Sequence, residues 1–438
     1  MTTRNLGAAY PFVAESGLGH RGVAIGRDLL GGSFAFDPFE LYELGLLNNP
    51  NMIVFGQIGR GKSAFVKTFL WRQAVFGRRA WVVDPKGEYG ALARQWGVTP
   101  VTLRPGGPVR LNPLDRAPDI GPGASGVPGP RGPNDGLDPA GVALGDGLGT
   151  GEAARVDRRH SALLASLAAV CLGRDVLPRE RAAIDVALVT VAGRAAVCTL
   201  PAVVDALLVP DHDAAGEIRT DAAQLAEDGR DVALELRRLV HGDLRGMFDG
   251  PTTTGLDLSG PLVVLDLSAL YGSAALGVLM ACATAWLQAA LANRGPLGAP
   301  PVLVVVDEAW AILAQLGIAR WLQASWKLSR AHGVANIAVL HRLSDLRAVG
   351  AAGSEQVGLA EGLLADSETR VIYGQPPGEA ARASELLSLS ETEVDLVGQL
   401  RRGVALWKVG QRSFLVHHVL GRSELDLVDT DMAMRGRG

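Results

Sequence analysis

Residues 56–63 read GQIGRGKS, which fits the pattern GxxxxGK(S/T), and they directly follow the apolar run Met52–Phe55. A glycine-rich loop between a strand and a helix can wrap a phosphate chain with its backbone N–H groups, because bulky Cβ atoms are missing and the helix dipole favours negative charge. Lys62 is expected to reach the β- and γ-phosphates of a nucleotide and to act in catalysis, and Ser63 to bind Mg²⁺. The nucleotide-binding residues predicted from this loop are Gly56, Gln57, Ile58, Gly59, Arg60, Gly61, Lys62, Ser63 and Ala64.

The lysine in this loop is informative because lysine is rare in the chain, where nearly all of the 42 basic residues are arginine. The planar guanidinium of arginine is a poor substitute for a compact ammonium inside a tight phosphate loop. Lys62 therefore indicates a site that requires a lysine.

A second motif, Asp307-Glu308, follows the β-branched run Val302–Val306. Such a run marks a strand covered on both faces, and α/β sheets bind ligands at the carboxyl ends of their strands. Asp307 is expected in the Mg²⁺ shell, and Glu308 is expected to orient and deprotonate an attacking water. A strand-end acid that caps a helix is the structural alternative, but a phosphate-binding loop upstream needs a metal partner. ATP hydrolysis is favoured over transfer to an acceptor, because Glu308 suits water activation.

The composition excludes several classes of protein. A net charge of −4 and a pI near 6.1 give no overall attraction to nucleic acid or anionic membranes, so any contact with DNA would have to be local. The three cysteines are far apart and lack CxxC spacing, which argues against a disulfide framework or a zinc site and fits a reducing cytosol. The first residues lack the apolar region of a signal peptide, so we expect a cytoplasmic protein.

The uncharged stretch at residues 274–292 is about long enough to span a bilayer. It lies between two strand-like runs, is rich in small residues and is interrupted by Thr284 and Gln288. We therefore interpret it as a buried core helix of an α/β domain and not as a membrane span.

The periodicity of the chain predicts an α/β fold with a mainly parallel sheet and an insertion. Residues 1–50 form a short β lead-in, and residues 51–114 contain the first part of the P-loop ATPase core. Residues 115–152 are rich in glycine and proline and predict a flexible loop. An all-α insertion follows at residues 153–250, and residues 251–438 hold the second part of the core, which ends in a hairpin.

Five segments together resemble a known group: the P-loop, DPKGEY at residues 84–89, NPL at 112–114, VVVDEAW at 304–310 and the segment 329–346. They are similar to the HerA/FtsK superfamily and, within it, to the TraC-type conjugative ATPases, the fourth VirB component of type IV secretion systems. The resemblance runs from about residue 20 to residue 420. It implies a RecA-like P-loop NTPase fold and an ATP-hydrolysing motor that energises a conjugative secretion and DNA-transfer apparatus.

The resemblance also implies how the site is completed. Such motors form hexameric rings, in which an arginine of a neighbouring copy stabilises the charge of the transition state. Arg330 and Arg370 are the two candidates for this arginine. Asp84 and Glu88 are expected beside the P-loop, at the tip of an adjacent strand, with a supporting role in the nucleotide-binding site. The partners that the family implies are membrane-embedded secretion components at the inner face of the cell membrane.

Two departures from the family pattern matter. The family has a large N-terminal domain, whereas about fifty residues precede the P-loop strand here, so we expect either that this domain is absent or that a separate polypeptide supplies it. His341 stands where the family places a sensor glutamine, after the predicted strand that ends near Val339. A histidine can still donate one hydrogen bond to a γ-phosphate or a water, although a histidine that simply faces solvent is the alternative.

Two other functions stay open. The first is a DNA translocase, either a coupling protein or a HerA/FtsK-like pump, for which DNA-stimulated turnover would be diagnostic. The second is a nucleotide-binding scaffold without turnover, against which the presence of Lys62, Asp307 and Glu308 argues.

Overall fold

The structure is a computed structural model. It describes residues 18–115, 148–195, 197–242, 244–256, 260–273, 275–292, 300–313, 333–341, 366–382 and 384–428, and the short pieces 258, 319–320, 322–323, 326–327, 358 and 362–364.

The described residues form one sheet of eleven strands. The strands are β1 (Val23–Asp28), β2 (Ser33–Phe36), β3 (Met52–Phe55), β4 (Arg79–Asp84), β5 (Val101–Thr102), β6 (Leu262–Asp266), β7 (Val302–Val306), β8 (Val334–Leu340), β9 (Thr369–Tyr373), β10 (Val404–Val409) and β11 (Arg412–His418). Their order in the sheet is β2-β1-β11-β10-β9-β3-β8-β7-β4-β6-β5. The seven strands from β9 to β5 are parallel, and β10, β11, β1 and β2 extend the sheet antiparallel. The predicted fold class, a mainly parallel α/β sheet with a β lead-in, is confirmed.

The central strands are buried on both faces, as their continuous apolar sequences predict. Every residue of β3, β7 and β8 is buried. Side chains alternate between the faces along β3, so Ile53 and Phe55 pack in one hydrophobic core while Met52 and Val54 pack in the other. The sheet thus separates two cores.

Helices pack on the sheet, and many of them lie between consecutive strands along the chain. They are α1 (Pro38–Glu43), α2 (Lys62–Gln73), α3 (Gly90–Gln95), α4 (Leu148–Leu172), α5 (Pro178–Arg194), α6 (Leu200–Leu208), α7 (His212–Glu217), α8 (Ala222–His241), α9 (Leu276–Ala292), α10 (Trp310–Leu313), α11 (Pro377–Arg382), α12 (Ser384–Leu387), α13 (Glu391–Gln399) and α14 (Leu425–Val428), with 3-10 turns at Ala74–Phe76, Ser268–Leu270 and Arg422–Glu424.

Between β5 and β6 the described residues contain five helices, α4 to α8, and no strand. The predicted all-α insertion lies here, and its limits at residues 153 and 250 stay a prediction. Helix α4 begins at Leu148, so the last residues of the predicted flexible loop are helical. Composition marks helix ends poorly, because a segment of good helix formers can extend its helix backward into weak helix formers that precede it. Residues 116–147 of that loop lie outside the described residues.

Helix α9 corresponds to the apolar stretch that we interpreted as a core helix. Trp286 and Cys282 of this helix are fully buried in the larger core, and the Trp286 ring stacks on Trp81 of β4 at 6.4 Å. Within the described part of the chain, no helix combines the length and the apolar character that a membrane span requires.

The antiparallel strands pack on α2, the helix that follows the P-loop. Trp407 of β10 contacts the Phe65 ring of α2 edge to face at 5.2 Å. Farther along the helix, Arg72 forms a bidentate ion pair with Glu424. His418 of β11 is buried against the same helix, with its Nε2 2.9 Å from the Thr68 hydroxyl. These contacts fix the helix whose N-terminus completes the P-loop.

His418 makes the stability of this packing sensitive to acid. Burial, with a contribution from nearby Arg72, lowers the pKa of its ring from 6.5 to about 4. The unfolded chain therefore takes up a proton near pH 6.5 that the folded chain takes up only near pH 4. The free energy of unfolding should fall across this window as the pH drops, by on the order of 3 kcal/mol.

Urea unfolding between pH 7 and pH 4 checks this expectation. The His418→Gln protein should lose much of the pH dependence, because its side chain does not titrate. His417→Gln changes the exposed neighbour and should keep the wild-type slope. If the free energy of unfolding depends on pH equally in all three proteins, the assignment of this dependence to His418 is contradicted.

Candidate nucleotide-binding site

The strand order brings the two sequence motifs to one edge of the sheet. Strand β8 pairs with β3 on one side and with β7 on the other, all three parallel. Because carboxyl ends of parallel strands meet at the same edge, the P-loop after β3, His341 after β8 and Asp307-Glu308 after β7 lie side by side. The site is thus built from three adjacent strand tips.

The P-loop requires small residues at specific positions. A Cβ atom on Gly56 would lie 2.5 Å from the Cβ of Tyr373, and Gly61, which precedes α2, has a φ of 114°. Two backbone hydrogen bonds anchor the loop to neighbouring strands: Gln57 donates to the Gly374 carbonyl at 3.3 Å, and Gly403 donates to the Arg60 carbonyl at 3.0 Å. The loop is therefore held by segments more than 300 residues away.

Lys62 is buried and folds back onto its own loop. Its Nζ donates to the carbonyl oxygens of Gly56 and, at 3.2 Å, of Gln57. Burial lowers the pKa of Lys62 to about 8, although Asp307 and Glu308 partly oppose this shift. Two carbonyls are modest partners for an ammonium, so a phosphate oxygen would be the stronger acceptor.

Asp307 lies in a buried concentration of negative charge. Burial raises the pKa of its carboxyl to about 7, and the nearby charges of Glu308, Glu88 and Asp84 act in the same direction. Among the described residues, no three His, Cys, Asp or Glu side chains are grouped as a metal site would need. A Mg²⁺ ion that takes one carboxylate, a hydroxyl and phosphate oxygens fits this environment, because it keeps much of its shell for water and substrate. Asp307, together with Ser63 in the first turn of α2, is the pair that would hold it.

Glu308 is held by three side chains. Its Oε1 contacts the Nζ of Lys86 and the Nε2 of His341, and its Oε2 accepts from the indole N–H of Trp310. Although burial alone would raise the pKa of Glu308, the hydrogen bonds from His341 and Lys86 lower it to about 2. The residue has a φ of 53°, a left-handed conformation that is unusual for a non-glycine residue.

His341 faces the site and not open solvent. Its Nε2 must carry a proton in order to donate to the Glu308 carboxylate, so its 3.3 Å contact with Lys86 is not a hydrogen bond in that tautomer. Its Nδ1 is buried and has no hydrogen-bond partner among the described residues. The ring therefore links the tip of β8 to the acidic residue of β7.

Asp84 organises the loop after β4. Its carboxylate accepts from the backbone N–H groups of Lys86, Glu88 and Tyr89 at 2.9 to 3.2 Å. We predicted that this strand would be adjacent to the P-loop strand, and that is wrong: β8 and β7 lie between β3 and β4. Strand order depends on long-range packing, which the local sequence does not specify. Asp84 thus shapes the turn that presents Lys86 and Glu88.

Lys67 connects this loop to the P-loop helix. The side chain is fully buried on α2, its Nζ lies 3.8 Å from Glu88, and it stands over the Tyr89 ring at 5.5 Å. Burial lowers the pKa of Lys67, while Glu88, Asp84 and Asp307 oppose the shift. The lysine offsets part of the negative charge around Asp307.

No model of a protein family and no curated protein matches the sequence. Among solved structures, VirB4 of Thermoanaerobacter pseudethanolicus superposes with a TM-score of 0.70 at 19% identity, over 94% of this chain and 100% of that chain. The chain has the fold of VirB4. The conjugative coupling protein TrwB is also similar: its complex with the ATP analogue ADPNP has a TM-score of 0.56 at 12% identity, over 95% of this chain and 92% of that one. Its complex with ADP and Mg²⁺ has a TM-score of 0.53 at 14% identity and 85% coverage of both chains.

The two arginines predicted to act on a neighbouring copy differ in where they lie. Arg330 lies outside the described residues. Arg370 is half-buried near the start of β9, opposite Ile53, and it donates to the carbonyls of Leu387 and Leu364 at 3.0 and 3.1 Å. Its guanidinium is thus engaged within its own chain, and its role toward a neighbouring copy stays a prediction.

Three polar residues of the site were not assigned from the sequence. Lys67 and Lys86 are two of the chain's five lysines, and with Lys62 they place three of the five in the site. That rarity was a usable signal, which we applied to Lys62 alone. Gln375 follows β9 and is buried, with its amide 3.4 Å from the His341 carbonyl and its Oε1 unpaired among the described residues. The sequence did not indicate that Gln375 lies at the site, because its position depends on the pairing of β9 with β3.

The close approach of Gly56 to Tyr373 predicts a loss of stability on substitution. Gly56→Ala should lower the free energy of unfolding by about 1–3 kcal/mol, because the added methyl group would overlap the Tyr373 side chain. Gly32→Ala is the control, since its Cβ position is open. Urea unfolding of both variants measures the difference, and equal effects would contradict the packing described here.

Proposed function

We propose that the protein is an ATP-hydrolysing motor of the TraC type, the VirB4 family, that energises a conjugative type IV secretion apparatus. The observation that carries the proposal is the position of Lys62 and the Asp307-Glu308 pair at neighbouring strand tips of one sheet edge, where both carboxylates influence the pKa of the lysine. The superposition on VirB4 over most of both chains supports this type of motor. The TrwB complexes with ADPNP and with ADP and Mg²⁺ support ATP and Mg²⁺ as ligands.

In this mechanism the backbone N–H groups of residues 56–63 surround the phosphates, and the N-terminus of α2 adds its dipole. Lys62 leaves its two carbonyl partners and binds the β- and γ-phosphates. Ser63 and Asp307 would hold Mg²⁺, which would supply neutralisation of the phosphate charge. Glu308 accepts the proton of the attacking water, and His341 at the neighbouring strand tip helps to orient that water.

The motor works as a homo-oligomer, a hexameric ring in which Arg330 or Arg370 of a neighbouring copy stabilises the transition state. Its place is the cytoplasmic face of the cell membrane, where it acts on membrane-embedded secretion components. Chemical crosslinking with and without ADPNP, followed by mass measurement, would test the ring.

Replacing the proposed base separates a motor from a scaffold without turnover. Glu308→Gln should reduce Mg²⁺-dependent phosphate release by about 100-fold or more, because the amide does not accept the proton. Binding of a fluorescent ATP analogue should stay within a few-fold of wild type. Glu217→Gln, on an exposed helix, is the matched control. A wild-type protein that binds ATP and releases no phosphate, even with its membrane partner present, would support the scaffold.

The second candidate is a DNA translocase, which the similarity to the coupling protein TrwB favours. A secretion motor without DNA contact should release phosphate at the same rate with and without single- or double-stranded DNA. A several-fold stimulation that disappears at high salt, and that heparin does not reproduce, would favour the translocase. Because the net charge is −4, we expect that DNA does not stimulate phosphate release.

A further inference from the structure

The carboxylate of Glu308 has both oxygens engaged. Lys86 and His341 contact Oε1, and the indole of Trp310 donates to Oε2. A general base must present a free lone pair to the water that it deprotonates, and each carboxylate oxygen has two lone pairs. Lys86 and His341 occupy both acceptor sites of Oε1, so the release of either contact frees Oε1 to accept a proton from the water.

Lys86 is the contact that is best able to move. Its side chain is 21% exposed, compared with 17% for His341. Its ammonium is carried on a flexible four-carbon stem, while the loop backbone beneath it is fixed by Asp84. The Nζ also stands over the Tyr271 ring at 5.6 Å, so a second surface is available along which it can move.

A triphosphate would compete directly for this ammonium. Lys86 contacts His341, which follows the strand that pairs with the P-loop strand, and its charge helps to lower the pKa of Lys62. Lys86 therefore lies near the loop that would receive the phosphates. A γ-phosphate carries more charge than a single carboxylate and offers several acceptor oxygens. A nucleoside diphosphate lacks the γ-phosphate and so offers no such competing acceptor for the Lys86 ammonium.

We propose that Lys86 is a positioning residue that holds Glu308 in the nucleotide-free chain and moves to the γ-phosphate of a bound nucleoside triphosphate, which releases Glu308 to act on water. This inference rests on the proposed ATPase function. The left-handed backbone of Glu308 fits a residue held for a mechanistic reason, since such conformations persist only where surrounding contacts impose them. Glu308 would therefore not activate water until the γ-phosphate has bound in the site.

Trp310 provides a spectroscopic reporter, because its indole is bonded to the Glu308 carboxylate. In the wild-type protein, ADPNP should change the tryptophan fluorescence and ADP should not. Trp310→Phe should abolish this difference, which assigns the signal to the site among the eight tryptophans. If the wild-type signal does not distinguish ADPNP from ADP, or if Trp310→Phe retains the distinction, the proposal is overturned without any lysine variant.

Lysine variants test the residue itself. Lys86→Met removes the ammonium and should reduce the preference for ADPNP over ADP by roughly tenfold, with loss of the fluorescence difference. Lys86→Arg keeps the charge and should restore part of the preference for ADPNP and part of the fluorescence difference. Lys327→Met, at a lysine 58% exposed, should match wild type. Equal weakening of ADP and ADPNP in Lys86→Met would show a general structural role and overturn the proposal.

The outcomes also separate this inference from the proposed function. A wild-type protein that binds neither nucleotide would refute the ATPase proposal as well. A wild-type protein that hydrolyses ATP, while Lys86→Met keeps the nucleotide preference and the signal, would refute the role of Lys86 alone.

Discussion

The burial of opposite charges at one edge of the parallel strands is the constraint on which the rest of this structure depends. A charge that is buried without a partner costs several kcal/mol or is neutralised by a pKa shift. The cations and anions must therefore reach the edge together, from separate strands and from the helix after the P-loop. The residues concerned are Lys62, Lys67, Lys86, Asp84, Glu88, Asp307 and Glu308.

This arrangement shifts the pKa values of the neighbouring residues Asp307 and Glu308 in opposite directions. At Glu308, two donors at one oxygen outweigh burial and lower the pKa to about 2, whereas burial and the surrounding carboxylates raise the pKa of Asp307 to about 7. Such divergence between paired acids commonly accompanies a division of roles. Asp307 gains most from a divalent cation, and Glu308 is kept ionised, as a base must be.

The antiparallel end of the sheet belongs to this site as much as the parallel strands do. A glycine-rich loop loses more conformational entropy on ordering than other segments, so it needs external support. That support comes from Gly374 at the end of β9 and from Gly403 before β10, and the aromatic packing around Trp407 holds the helix behind the loop. The hairpin near the C-terminus thus contributes to a site whose motifs lie elsewhere.

The sequence by itself determined the local features: the strand, loop and helix at Met52–Phe55 and residues 56–63, the acidic tip of Val302–Val306, and a mainly parallel α/β sheet. Glycine and β-branched residues act on the backbone nearby, so these patterns could be interpreted without the fold. Only the tertiary structure decided that β8 lies between β3 and β7, which sets His341 against Glu308, and that Lys86 joins them. Lys86 and His341 are 255 residues apart, and contacts at such a separation depend on strand order, which follows from the packing of the whole sheet and not from any local preference.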